Sequence, residues 1–396
     1  MHAHAETACP VCESATFRPF FAIDGLPPLS CALYPTREEA RDCPRGEMVL
    51  AGCRDCGYIA NVAFDPALIE YDGTYENALH FSQVYRDYAK REAEALIQRY
   101  DLHGKRVVDI GCGDGRFLSL LCELGGNQGI GYDPSFKDDS LGGALHPDVR
   151  IETRYFGPQD AGEAPDLIVS RQVLEHIYEP AGFLRTLRSG LNGHDGTRLA
   201  FEVPNAEYLI ADLSVWDLIY EHCSFFTASS LATLFQRAGF AVEDLHVGFG
   251  NQTLTVEALP AGARMNGHTH PAAQASDAQI QAMQAFEAEA GRRIEGWRKR
   301  LSEWKESGAK VALWGAGARA VVFLNVVGAE GAFDTIVDLN PRKHGAFLPG
   351  TGDRIDAPEA LSTAQPDVVL LMNPNYQTEV AASLRELGVE AELVLA

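Results

Sequence analysis

Short, nearly unbroken apolar blocks recur along the middle of the chain, each closing on a polar or glycine-rich turn. Val107-Val108-Asp109-Ile110, Gly129-Ile130-Gly131-Tyr132-Asp133, Asp166-Leu167-Ile168-Val169-Ser170 and Ala200-Phe201-Glu202-Val203-Pro204-Asn205 each predict a buried strand. Between and before them the apolar spacing turns helical, first over about Asp87 to Tyr100 and then over Phe117–Leu124. This alternation predicts an α/β domain with a largely parallel sheet. Arg237-Ala238-Gly239-Phe240 reads as a helix end with Gly239 as the stop. Ala241–Gly248 and Thr253–Leu259 then alternate like an antiparallel pair that closes the sheet.

The pattern changes beyond Leu259. Pro260 to Ser276 is loose and rich in Ala, Gly, His and Pro, as a linker would be. A long amphipathic helix follows over about Asp277 to Ser307, with Ile280, Met283, Phe286, Ile294, Trp297, Leu301 and Trp304 near helical spacing. A smaller α/β unit comes next, built on Val311-Ala312-Leu313-Trp314, Ile336-Val337-Asp338 and Val368-Val369-Leu370-Leu371-Met372. At 396 residues more than one core is expected. The divisions fall at 1–68, 69–259, 260–308 and 309–396.

Two turns carry candidate chemistry for binding. Asp109-x-Gly111-x-Gly113-x-Gly115 joins a strand to a helix; its missing side chains let a ligand approach backbone amides at the helix start. The spacing differs from the dinucleotide pattern G-x-G-x-x-G. Asp133 ends the second strand about twenty residues further on, where a carboxylate accepts hydrogen bonds from ribose hydroxyls. The second turn, Gly315-Ala316-Gly317-Ala318-Arg319-Ala320, has G-x-G-x-x-A spacing and is followed by Asp338 at a strand end. Its unit is too short for a two-half dinucleotide domain. Asn340, Lys343 and the stretch Asn373 to Tyr376 are candidates for holding a nucleotide or phosphate there.

The first 68 residues carry Cys9-Pro10-Val11-Cys12 and Cys53-Arg54-Asp55-Cys56. Two such knuckles can place Cys9, Cys12, Cys53 and Cys56 around one Zn²⁺, and four protein ligands make that zinc structural. Cys31 and Cys43 lie in the gap as bystanders or substitutes. Between the knuckles and the first helix, Leu68 to Tyr88 interleaves tyrosines with polar residues and reads as a lid or strap. Glu221-His222, set among aromatics, offers a proton acceptor that titrates near neutrality beside a carboxylate.

The net charge of −22 disfavours nucleic acid or an anionic membrane as the main partner. No apolar run reaches the roughly 18–20 residues that span a bilayer. Met1-His2-Ala3-His4 lacks the basic and apolar regions of a secretory signal, so a cytoplasmic enzyme is expected.

The motif Val107 to Gly115 resembles that of class I S-adenosylmethionine (SAM) methyltransferases, and Asp166 to Ile177 resembles the same class after its fourth strand. The resemblance implies SAM contacts from Asp109, Gly111, Gly113, Gly115, Asp133 and Gln172. The paired knuckles, "VVDIGCGDG", "LEH", "EHCSFFT" and "LWGAGARA…DLNPRKHGAFLPGT" together resemble the sugar C-methyltransferases of deoxysugar biosynthesis over nearly the whole chain. That family joins a zinc-binding domain, a SAM methyltransferase domain and a C-terminal Rossmann-like domain. Its substrate is a nucleotide-linked 4-keto-6-deoxysugar, methylated on carbon through an enolate. By resemblance His222 is the base, Glu221 holds the sugar, and His176 and Tyr75 line the pocket and steady the enolate oxygen. The C-terminal unit grips the nucleotide diphosphate. Asn77-Ala78-Leu79-His80-Phe81-Ser82 stands where the family's strap is serine-rich, which makes His80 a candidate extra substrate contact. Two other readings fit the same motifs: O- or N-methylation of another small metabolite, and a zinc-containing SAM-binding protein without catalysis. A monomer or homodimer suits each of them.

Overall fold

The computed structural model of the chain describes residues 8–137, 143–163, 165–191, 193–262 and 274–396. The expectations for residues 1–4 and for the 263–273 part of the linker lie outside them. Among the described residues, sixteen strands form three sheets. Strands β1 (Phe17–Leu26), β2 (Gly46–Cys53) and β3 (Ile59–Asn61) run antiparallel, with Phe17 opposite Cys53 and Leu50 opposite Asn61. Nearly every residue of β2 is buried. One reason is the helix Asp277–Ser307, which brings Met283 and Phe286 into one core with Phe21, Met48 and Leu50. A methyl added at Gly52 would lie 2.6 Å from Met283 Sδ, so glycine there permits the approach.

The central sheet contains β4 (Arg106–Ile110), β5 (Gln128–Tyr132), β6 (Val149–Glu152), β7 (Leu167–Arg171) and β8 (Arg198–Pro204), all parallel. Just past β8, the two-residue β9 (Ser224–Phe225) leaves this domain and pairs with β3 of the first sheet. β10 (Phe240–Gly248) and β11 (Thr253–Pro260) then close the central sheet antiparallel. The order is β10-β11-β8-β7-β4-β5-β6, so the chain switches direction between β4 and β7. The carboxyl ends of those two strands open the crevice where such sheets bind ligands. The helix before β4 spans Gln83–Tyr100 and starts four residues earlier than its apolar spacing implies, because the Ser82 hydroxyl caps the amide of Tyr85.

The third sheet is wholly parallel: β12 (Val311–Trp314), β13 (Thr335–Val337), β14 (Ile355–Asp356), β15 (Val368–Leu371) and β16 (Glu392–Leu395), in the order β14-β13-β12-β15-β16. Its carboxyl edge and that of the central sheet face a common interface. Arg319 pairs with Asp217 at 2.6 Å, Gln252 with Asn373 at 3.0 Å, and Asn340 with Glu76 at 2.9 Å across it.

Candidate active site

The glycine turn after β4 is held in left-handed backbone at Gly111, Gly113 and Gly115, with φ of 71°, 55° and 73°. The three glycines differ in what they face. A methyl at Gly111 would meet Val173 at 2.3 Å and one at Gly115 would meet Ile151 at 2.5 Å, whereas a methyl at Gly113 meets nothing within 4 Å. Gly113 therefore fronts open space, and its amide is fixed by Asp133 Oδ2 at 2.8 Å. The other Asp133 oxygen accepts from the Ser135 amide and hydroxyl. Asp109 is buried at the floor of the turn, where desolvation lifts its carboxyl to about 7 against the pull of Arg171. Gln172, just past β7, is also left-handed at φ 57° and hydrogen-bonds the Glu202 carboxylate. A cavity of about 740 Å³ runs from this turn past Gln172, Tyr75 and His176 to Glu221 and His222. This arrangement fits SAM: a crevice at a helix start, two carboxylates for a cationic ligand, and open room at the central glycine.

At the far end of the cavity, Glu221 is buried and accepts from the Ser30 amide at 3.1 Å and the Ser30 hydroxyl at 3.2 Å. Burial raises its carboxyl to about 7, while Ser30 and the Tyr75 hydroxyl pull the other way. His176 lies in a single turn of 3₁₀ helix, Leu174–His176, instead of a longer helix. Its Nδ1 is 2.8 Å from the Tyr71 hydroxyl and 3.1 Å from the backbone carbonyl of Glu221. The His222 ring stands edge-on to it, with centroids 4.8 Å apart. Burial pushes the His176 imidazole down to about 4 and His222 well below its ordinary value, so both are neutral at pH 7. Ser30 carried no signal in the sequence and Tyr71 only that of the tyrosine-bearing strap; they meet the site from 191 and 105 residues away. His80 turns to the glycine turn: its Nδ1 is 2.8 Å from Asp114 Oδ2. It thereby ties the strap to that turn.

A second cavity of about 330 Å³ adjoins the first and shares Gln172, His222, Gly317 and Lys343 with it. It lies between the carboxyl ends of β8 and those of β12 and β15, with Asn340, Asn373 and Tyr376 in its wall. Asp338 accepts from the Ala316 amide at 2.7 Å and is paired with Lys343 at 3.2 Å.

The thiols of Cys9, Cys12, Cys53 and Cys56 converge, all four sulfurs within 4.8 Å of one another. Cys9 and Cys56 are 3.7 Å apart and Cys12 and Cys53 3.5 Å apart. Tetrahedral Zn–S bonds of roughly 2.3 Å put sulfurs just under 4 Å from each other, so four thiols this close suit a metal. Cys31 lines the larger cavity instead, and Cys43 is buried apart from the four.

A glycine turn at the switch point of a parallel sheet, closed by an antiparallel pair and opening on an acid–base cluster, defines a class I SAM-dependent methyltransferase. Residues 82–245 match the family model of a methyltransferase domain, and residues 263–394 match that of a C-methyltransferase C-terminal domain. The chain is a SAM-dependent methyltransferase that joins a methyltransferase domain to a C-methyltransferase C-terminal domain. It is 27% identical to the C-methyltransferase NovU of Streptomyces niveus over 75% of this chain and 73% of that one. A ubiquinone biosynthesis O-methyltransferase of Bordetella pertussis is 31% identical over 42% of this chain and 74% of its own length. The crystal structure of a Burkholderia thailandensis 1,6-didemethyltoxoflavin-N1-methyltransferase aligns at a TM-score of 0.33 and 18% identity, covering 45% of this chain and 81% of its own.

Proposed function

We propose that the protein methylates the carbon beside the ketone of a nucleotide-linked 4-keto-deoxysugar, through an enolate. The observation that carries this reading is a neutral imidazole, His222, at the junction of two connected cavities. One cavity suits the donor and the other a long acceptor. SAM supplies an electrophilic methyl group. A ketone acidifies its neighbouring C–H, and His222 removes that proton. Glu221, fixed by Ser30, holds the sugar, and Tyr75 and His176 line the pocket around the carbonyl. Held in line with the methyl, the enolate carbon is the nucleophile. Asp109, Gly111, Gly113, Gly115, Asp133 and Gln172 hold the donor. On the other side, Asn340, Asn373, Tyr376 and the turn at Gly315–Ala318 hold the nucleotide end.

Zinc in the four-thiol cluster is structural in this reading, since four sulfurs leave no coordination position for a substrate. The nine cysteines are all free, which suits a reducing cytoplasm. No helix among the described residues is long and apolar enough to cross a membrane. The protein acts as a monomer or homodimer.

Incubation with SAM and a panel of nucleotide 4-ketosugars tests the reading, with methyl addition followed by mass and its position by NMR. Methylation on carbon is expected, and a product methylated on oxygen sinks the enolate. His222→Asn lowers kcat about a thousandfold with SAM affinity retained. Transfer at the wild-type rate removes His222 as base.

A further inference from the structure

Glu175 has no part in the reaction as described, yet its surroundings are unusual. The residue is 1% exposed, and neither carboxyl oxygen hydrogen-bonds to another described residue. A buried carboxylate left in that state is costly unless it keeps its proton or meets a ligand. It lines the donor–acceptor cavity with His176 and His222, and one polar atom from each of the three lies within 4.8 Å of the others.

Neutral His176 does not supply a hydrogen-bond donor here. His176 Nδ1 lies within hydrogen-bond distance of both the Tyr71 hydroxyl and the Glu221 carbonyl. A carbonyl only accepts, so both contacts are satisfied when Nδ1 carries the proton and donates to it. Nε2 is then a bare acceptor, 4.0 Å from Glu175 Oε1. Neutral His176 in this tautomer has no hydrogen to give an enolate oxygen. The Tyr75 hydroxyl bonds the Glu221 carboxyl, while the Tyr71 oxygen accepts from His176 Nδ1 and keeps its own O–H. Carbon deprotonation beside a ketone nevertheless needs a donor at the oxygen where charge develops.

We propose that Glu175 is a catalytic residue, a neutral carboxylic acid whose O–H holds the enolate oxygen while His222 takes the α-proton. Its burial supports the acid form, holding the carboxyl well above the usual carboxylate range. Buried carboxylic acids serve enzymes as oxyanion donors in the same way. The step balances: the C–H electron pair enters the new C=C bond and the carbonyl π pair moves onto oxygen. The C=C pair next forms the C–CH₃ bond as the sulfonium–methyl bond breaks. The carbonyl then re-forms and Glu175 keeps its proton. The role rests on the enolate reading above.

Two variants and a spectrum test it. Glu175→Leu lowers kcat about 10²- to 10³-fold with KM for the ketone nearly unchanged, whereas Glu175→Gln, whose amide still donates, stays within about tenfold of wild type. A purely structural role predicts equal losses in the two variants or a rise in KM. Independently of any substrate, the infrared difference between wild type and Glu175→Gln shows a protonated carboxyl band that persists through neutral pH. Protein that methylates ketones without that band overturns the role of Glu175 alone. Protein that shows the band but never methylates a ketone overturns the enolate reading and this role with it. A second equivalent of zinc, bound beyond the four-thiol complement and lost in Glu175→Gln, assigns the trio to a metal and overturns the proposal.

Discussion

The chain contains the same device twice, a strand that runs through alternating glycines into a helix with an acid at the end of the next strand, and the two copies have diverged in chemistry. At the first, all three glycines are left-handed, the central one faces open space, and among the described residues Asp133 meets no cation, only the amides of Gly113 and Ser135 and the Ser135 hydroxyl. At the second, only Gly315 is left-handed, at φ 97°, while Gly317 is in extended backbone that other residues adopt. Its acid, Asp338, is neutralised by the buried Lys343, whose ammonium also bonds the Ala316 carbonyl. A ribose arriving there meets an acid already engaged. The difference teaches that a glycine fingerprint describes a backbone path, and that the charges around it decide what the path binds.

The largest effect that would sharpen this contrast comes from Lys343→Met. It strands Asp338 in the interior and costs about 3–5 kcal/mol in urea unfolding. A loss below about 1 kcal/mol would mean that the pair does not organise the second turn. Next is Gly113→Val, which fills the open space of the first turn and lowers SAM affinity about a hundredfold by calorimetry, roughly 2.7 kcal/mol. Unchanged affinity would place the donor elsewhere.

A smaller effect should appear with pH. Asp109 is raised to about 7, so its negative charge is lost as pH falls through that value, and cationic SAM should bind several-fold more weakly at pH 6 than at pH 8. Asp109→Asn should flatten the profile. A carboxyl raised above its unfolded value near 3.8 also favours the native state at low pH and loses that contribution as pH rises through 7. The Asn variant should therefore gain thermal stability relative to wild type at pH 8. The smallest expected effect is that of Gly317→Ala, where no atom lies within 4 Å of the added methyl. It should change stability by less than about 0.5 kcal/mol and SAM affinity by less than twofold. A large change there would erase the distinction between the turns.

Local periodicity revealed the parts of the fold that depend on it. The long helix runs over Asp277–Ser307, as its apolar spacing implies, and the strand pair after Gly239 lies within a residue of its expected bounds. Strands β1 and β2 were not legible, because β1 is interrupted by bulges and β2 is buried on both faces and lacks alternation. The glycine turn could be read from a motif of seven residues. At the far end of the cavity the adjacent Glu221-His222 pair could be picked out from its residues, and His176 and Tyr75 only through the family resemblance. Ser30 and Tyr71 are ordinary in their own segments and acquire meaning only when long-range folding brings them to Glu221 and His176. Glu175 was concealed differently: it sits inside a recognisable motif, and only its lack of partners marks it.

Strand β9 has a consequence for how this enzyme can be taken apart. Ser224 and Phe225 follow Glu221-His222 almost at once and are stitched to Ile59 and Ala60 of the cysteine-bearing sheet, while Ser30 of the same segment clasps Glu221. The thiol module is therefore part of the scaffold of the larger cavity and cannot serve as a detachable handle. Modular engineering that swaps the front cassette of one such enzyme for another would also exchange the Ser30 clasp on Glu221 and the strand that anchors the segment after His222.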